Sequence, residues 1–236
     1  MTHRMQLWGD TMEVKNTLYR NQGIHAIASI FTVEKGITKI LLIKRNNEPF
    51  KGKWALVGGA LYNNENLDDC IKREIKEKTG IEDIDLYLSN VHGRVDRSPI
   101  MRMVAISYVG IIDSDKVKVL NKTLKTTDAD WFAIDSIPAL AYDHNEILPS
   151  SLEKLKSLIL NTNILRSLFP NGFTLPEIQQ AYESILDTKF DRRNFRRKFL
   201  SLGLIIDTNK TIKFNGTKPA KLYKFKNKID KDRNVF

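Results

Sequence analysis

All of the net basicity of this sequence lies in one stretch near its end. Between Lys189 and Lys228 stand 13 Lys and Arg residues against two acids, Asp191 and Asp207, a segment charge of +11 in a chain whose formal total is +10. The rest of the chain therefore sums to −1. A solvated tail could carry such charge, but Phe195, Phe199, Leu200, Leu202, Leu204, Ile205, Ile206, Phe214, Leu222, Tyr223 and Phe225 lie in the same stretch. A tail needs no core. A small, folded, positive unit attached to a neutral body is the electrostatic footprint of nucleic-acid binding, in which basic side chains displace counterions from phosphates.

The neutral body reads as mixed α/β. Residues 24–33 (IHAIASIFTV) and 38–45 (TKILLIKR) are β-branched, apolar runs parted by a polar turn at EKG, which predicts two strands. A further strand pattern covers 101–112, and a short one is expected at Asp130–Ala133. Helical patterns occupy 66–79, 145–160 and the region after 174. The Leu/Lys-rich helix near 150–160, followed by the polar NTN at 161–163, marks the boundary. The expected division is a body at 1–160 with a 1–20 extension, a second domain at 161–228, and a tail at 229–236. No apolar run approaches the roughly 20 residues of a membrane span, and the N-terminus has no signal-peptide core, so a cytoplasmic protein without a membrane partner is expected. Cys70 is the only cysteine, which excludes disulfide staples within the chain and a multi-cysteine zinc site. Its place in a helical pattern predicts a buried, inert thiol.

In the second domain, Thr174-Leu-Pro-Glu177 supplies an N-cap, an early proline and a capping-box glutamate. Ile178, Ala181, Tyr182 and Ile185 follow at i, i+3, i+4 and i+7, one buried helical face. A second helix runs from about Asp191 to Gly203, and LIIDTNKTIKF and KLYKFK then read as strands. Helix, helix, hairpin is the pattern of a winged helix-turn-helix. At 100° per residue, Phe195, Phe199 and Leu202 of the second helix fall on one side, while Arg193, Asn194, Arg197, Lys198 and Ser201 occupy the opposite arc. Arg192 and Arg196 take one flank. An apolar back, a front of forked donors and charged margins suit a helix in the major groove of duplex DNA. Lys210, Lys213 and Lys218, in the wing, are placed to meet the DNA backbone.

Residues 59–81 (GALYNNENLDDCIKREIKEKTGI) match the Nudix pattern G-x5-E-x7-R-E-U-x-E-E-x-G-U, U being aliphatic, through Gly59, Glu65, Arg73, Glu74, Ile75, Glu77, Gly80 and Ile81. Positions 74, 77 and 78 share one helix face. Three carboxylates there would hold Mg²⁺ against a diphosphate and activate water, but position 78 is lysine. An ammonium there removes an oxygen ligand and weakens metal binding, while leaving a diphosphate acceptable. Glu74 and Glu77 are thus the residual candidates for catalysis and for metal; no cofactor is required and Mg²⁺ is possible.

The resemblance extends along nearly the whole chain to the Nudix-related transcriptional regulators. It is carried by LLIKRNNEPFKGKWALVGGAL before the box, RSPIMRMVAISYV and WFAIDSIPALAYDH after it, and then FTLPEIQQAYESIL, DRRNFRRKFL and KPAKLYKF in order. Val57 stands where Nudix proteins often have proline, and Ser98, Ile100 and Met101 depart from the family pattern. The resemblance implies an α/β Nudix fold followed by a small winged helix, in a homodimer that represses operons of NAD metabolism and leaves its DNA operator when ADP-ribose or a related nucleotide sugar enters the pocket. A sugar-responsive regulator and an active ADP-ribose pyrophosphatase are the alternatives. Arg45, Arg97 and Arg102 are the expected diphosphate or ribose contacts, with Gly59 and Lys78 in the same pocket. Phe50, Trp54 and Tyr108 are aromatic candidates for stacking on a base, with the core as the favoured place for each. His144 is expected to be a structural hydrogen-bonding group.

Overall fold

A computed structural model describes residues 22–115, 119–120, 122–213 and 219–226. The 1–20 extension, the 229–236 tail, Phe214 and the wing lysine Lys218 lie outside them. In chain order the elements are β1 (Gly23–Glu34), β2 (Ile37–Arg45), β3 (Trp54–Ala55), β4 (Val57–Ala60), α1 (Leu67–Thr79), β5 (Tyr87–His92), β6 (Met103–Ile111), β7 (Thr126–Ala133) and α2 (His144–Asn161). A 3₁₀ turn, Ile164–Ser167, leads to α3 (Leu175–Leu186), α4 (Arg192–Ser201), β8 (Ile205–Ile212) and β9 (Ala220–Phe225).

The two apolar runs become the middle of a mixed sheet. β1 and β2 form an antiparallel hairpin with Phe31 opposite Ile40, and β1 pairs in parallel with β6 from Gly23–Met103 to Phe31–Ile111. β4 joins β1, β3 and β7 join β2, and β5 closes the edge beside β6. Both faces of the central strands are covered. Ala26, Ala28, Ile30, Leu41 and Ile43 pack with Cys70, Ile71 and Ile75 of α1, whereas Ile27, Phe31, Ile40 and Leu42 belong to the core that includes Ile147, Leu155 and Ile159 of α2. Two buried faces explain why these strands read as continuous apolar runs instead of alternating ones. β7 is longer than the four residues expected, because Thr126–Ala129 also pairs along β2 as far as Arg45.

Helix α1 is oriented by its ends. Asp68 and Asp69 lie in its first turn and Lys76 and Lys78 in its last, signs that complement the helix dipole. Gly80 stops it in the left-handed conformation at φ 76°, where a side chain would also meet Leu120.

The C-terminal unit forms as its spacing predicts. Thr174 and Glu177 make the reciprocal capping box of α3, and Ile178, Ala181, Tyr182 and Ile185 are buried. β8 and β9 make the two-stranded wing. The core of this unit is continuous with the α2 side of the sheet, running from Ile27 and Phe31 through Leu155 and Ile159 to Tyr182, Phe199 and Tyr223. Polar links tie the units as well. The Tyr182 hydroxyl donates to the Ile159 carbonyl at 3.1 Å, Thr38 Oγ1 lies 2.7 Å from Ser184 Oγ, and Arg166 pairs with Asp85 at 2.5 Å. Among the described residues, no helix is long and apolar enough to cross a membrane.

Candidate functional site

A pocket of about 210 Å³ opens between the β3–β4 segment, the C-terminal part of α1 and the start of α2. Arg45, Gly59 and Lys78 line it, together with His25, Tyr142 and His144, which the sequence did not single out as pocket residues. Among the described residues that line this wall there is no carboxylate. Tyr142 adopts a left-handed backbone at φ 54°, and its ring lies 5.0 Å from the Arg45 guanidinium carbon. Phe50 sits edge-on against Tyr142, Trp54 packs on Phe132, and the buried Tyr108 reaches Asp68 through its hydroxyl at 3.3 Å.

The helix face bearing Glu74 is crowded with cations. One Glu74 oxygen is 2.5 Å from Arg73 and 3.5 Å from Lys125, and the other is 2.9 Å from Lys78. The Lys78 ammonium also donates to the Gly58 carbonyl. Glu77 pairs with Lys125 at 2.5 Å and with Arg73 at 3.3 Å, and Arg73 further grips Glu65 at 2.7 Å. Glu74 itself is only 2% exposed. Burial works to raise its carboxyl, but Lys78, Arg73 and Lys125 outweigh that and hold it below the usual carboxylate range. Burial pulls the Lys78 ammonium down and Glu74 opposes the pull. Gly59 has a steric role here, since a Cβ on it would come within 2.3 Å of the Glu74 carboxylate.

Two of the expected effector contacts stand outside the pocket wall. Arg97 is 3% exposed and makes a two-pronged bond to Asp143, at 3.0 and 2.8 Å, next to the start of α2. Arg102 donates to the carbonyls of Arg94 and Met103.

On α4 the two sides separate as the helical angles predict. Phe195 and Phe199 are buried, while Arg192, Arg193, Asn194, Arg196, Arg197 and Lys198 are all exposed. Asp191 caps the helix by accepting from the Asn194 amide at 2.9 Å, and Arg197 donates to Asn194 Oδ1 at 3.0 Å. That bond fixes a guanidinium and an amide side by side on the outer face. Lys210 in β8 and Lys213 after it are exposed on the wing.

The two units correspond to two family models, a NUDIX domain over residues 23–153 and an NrtR DNA-binding winged helix domain over residues 165–225. The ADPR responsive transcriptional repressor NtrR of Acinetobacter baylyi is 34% identical over 204 residues, covering 84% of this chain and 79% of that protein. The chain belongs to the NrtR family. NrtR of Shewanella oneidensis, solved in complex with a 27mer DNA, superposes with a TM-score of 0.75 at 25% identity, over 89% of this chain and 99% of that one. The Nudix half is also similar to an ADP-ribose pyrophosphatase of Methanocaldococcus jannaschii, 37% identical over 129 residues, 53% of this chain and 72% of that protein. NrtR-family membership makes the C-terminal unit a DNA-binding winged helix and the N-terminal unit a Nudix domain.

Nudix domains typically use Mg²⁺, and the residues of this NrtR-type box do not fit it. Both oxygens of Glu74 face protein cations, Glu77 faces two more contacts of the same sign, and Lys78 occupies a ligand position. Among the described residues, no group of three or more His, Cys, Asp or Glu side chains is arranged to hold a metal ion.

The pocket histidines are held neutral. Burial, followed by the charge of Arg97, lowers His25 to about 4 and His144 to about 3. His144 accepts the Leu56 amide through Nδ1 at 3.0 Å, a bond that protonation of that nitrogen would remove. Because the folded values lie below the ordinary 6.5, their stabilising contribution is present above about pH 6.5 and is lost as pH falls towards 4 and then 3. The urea midpoint of the protein is expected to drop across that window, and His144→Gln, which can accept the same bond without titrating, should flatten the drop. Equal acid slopes for wild type and variant would contradict this.

Proposed function

We propose that this protein is a homodimeric transcriptional repressor that binds an operator through α4 and the wing, and whose Nudix pocket takes ADP-ribose or a related nucleotide sugar as effector. The observation that carries the reading is the α4 surface, six exposed basic or amide side chains backed by two buried phenylalanines, on the same chain as a cation-lined Nudix pocket. The relative in Acinetobacter baylyi, named for its response to ADP-ribose, supports the effector. Arg45 and Lys78 are the pocket's diphosphate contacts, and Arg193, Asn194, Arg197 and Lys198 read base edges while Arg192, Arg196, Lys210 and Lys213 meet phosphates.

Fluorescence anisotropy on duplexes from upstream of the protein's own gene and of NAD-metabolism genes tests this. Operator binding should weaken steeply with salt and on addition of ADP-ribose. Arg197→Ala should lose about 1–3 kcal/mol of operator affinity, the worth of a bidentate base contact, with ADP-ribose affinity unchanged. Operator affinity equal to wild type would remove α4 as the reader. Release of AMP from ADP-ribose with Mg²⁺, above that of Glu77→Gln, would assign hydrolysis instead.

A further inference from the structure

Lys78 stands in the box where the pattern has a third carboxylate. Lys78 lines the pocket, is 9% exposed, and has three N–H donors. The ammonium donates to the Gly58 carbonyl and is ion-paired with the Glu74 carboxylate at 2.9 Å. Lys78 nevertheless lines the pocket, so its charge faces whatever enters there. Arg45 supplies a second cation to the same wall, and its guanidinium is already oriented by donating to the Pro49 carbonyl at 2.9 Å. The Glu74 carboxylate, which would otherwise repel an anion entering beside it, is neutralised by Arg73, Lys78 and Lys125.

We propose that Lys78 is a built-in counter-ion, and that the pocket binds a diphosphate-bearing ligand with no need for a divalent cation. The inference rests on the reading of the pocket as an anion-binding effector site, and it assigns to a residue the charge that Mg²⁺ would bring. A tethered ammonium is positioned before the ligand arrives, so binding does not depend on recruiting a free ion. The consequence is a sensor whose response to effector does not follow the concentration of divalent cations.

Calorimetric titration of the full chain tests this with two probes, ADP-ribose and inorganic pyrophosphate, each in excess EDTA and in excess Mg²⁺. The expected result is affinity unchanged between the two conditions. Lys78→Met should weaken binding in EDTA by about tenfold or more, the worth of a hydrogen bond to a charged group, and Lys78→Arg should restore most of it. Thermal melting of each variant checks the fold, and the wild-type comparison stands without any variant. Binding that requires Mg²⁺ overturns the inference while leaving an ADP-ribose effector intact. Metal-independent binding of pyrophosphate with no binding of ADP-ribose upholds the counter-ion and removes the effector. No binding of either probe in either condition overturns both.

Discussion

Replacing Phe199 with Ala is expected to destabilise the whole chain by about 3–5 kcal/mol, the usual loss for a fully buried phenylalanine truncated to a cavity. Phe199 is 0% exposed, stacked on Phe195 at 5.4 Å and edge-on to Tyr182 at 5.8 Å, with Phe173 and Phe225 beyond. These rings belong to the cluster that continues through α2 to the sheet of the Nudix unit. The loss should therefore not stay in the winged helix. Trp54 and Trp131 lie on β3 and β7, so in a Trp8→Phe background tryptophan fluorescence reports the Nudix unit while the substitution is in the reader. Urea unfolding followed by tryptophan emission and by far-UV circular dichroism should give one transition, shifted alike in both signals. A tryptophan transition that stays at the wild-type midpoint would show that the two units unfold independently. Loss of about 3–5 kcal/mol is a large share of the ordinary stability of a domain, so DNA binding should fail at moderate temperature.

The parts of this molecule that were legible in the sequence are those set by local pattern. The capping box at Thr174 and Glu177, the face made by Ile178, Ala181, Tyr182 and Ile185, and the split of α4 into Phe195 and Phe199 against its arginines each depend on residues within one or two helical turns. The fixed spacing of the box likewise placed Glu74, Glu77 and Lys78 on α1. What stayed hidden depends on contacts across the fold. Lys125 reaches Glu77 from 48 residues away, out of a loop whose sequence carries no motif. β5 leaves Leu88 and Val91 exposed at the sheet edge, so it lacks the apolar run that marks β1 and β2. His25 could have been noticed as the one imidazole in an apolar strand, but only the pairing of β1 with β4 brings it beside Gly59 and Ala60.

Those long-range contacts alter the meaning of the box. Read along the sequence, one lysine for glutamate is a damaged metal site. In the fold it is part of a balanced set, in which Glu65, Glu74 and Glu77 are met by Arg73, Lys78 and Lys125. The helix keeps the box spacing because Gly59 must stay small for Glu74, and Gly80 must stop α1. Scaffold geometry therefore accounts for Gly59 and Gly80 without calling on hydrolysis.

Arg97→Ala is the substitution that separates a scaffold arginine from an effector contact. The sequence placed Arg97 among diphosphate ligands, yet both prongs of its guanidinium are bonded to Asp143, and both side chains are buried. Asp143 is the residue before α2, and its carboxylate makes no bond to the amides of that helix. Removing Arg97 leaves a buried carboxylate without its partner, so the expected cost is about 3–5 kcal/mol in the absence of any ligand. The companion variant, Arg97→Met with Asp143→Leu, removes both charges and should recover most of that loss, because a well-packed apolar pair can replace a buried ion pair at little cost. Urea midpoints of the three proteins without effector give the answer. If Arg97 served only the effector, the single variant would keep the wild-type midpoint and lose ADP-ribose binding alone. The ion pair also sits beside the pocket, since the Arg97 charge helps to keep His25 and His144 neutral. The pKa of His144 in Arg97→Ala, where the carboxylate stays and the cation is gone, should therefore rise from its depressed value, and a nuclear magnetic resonance titration of the imidazole reads that change directly. A rise in His144 in the single variant together with a recovered midpoint in the double variant would assign Arg97 to holding the start of α2 and the charge state of the pocket.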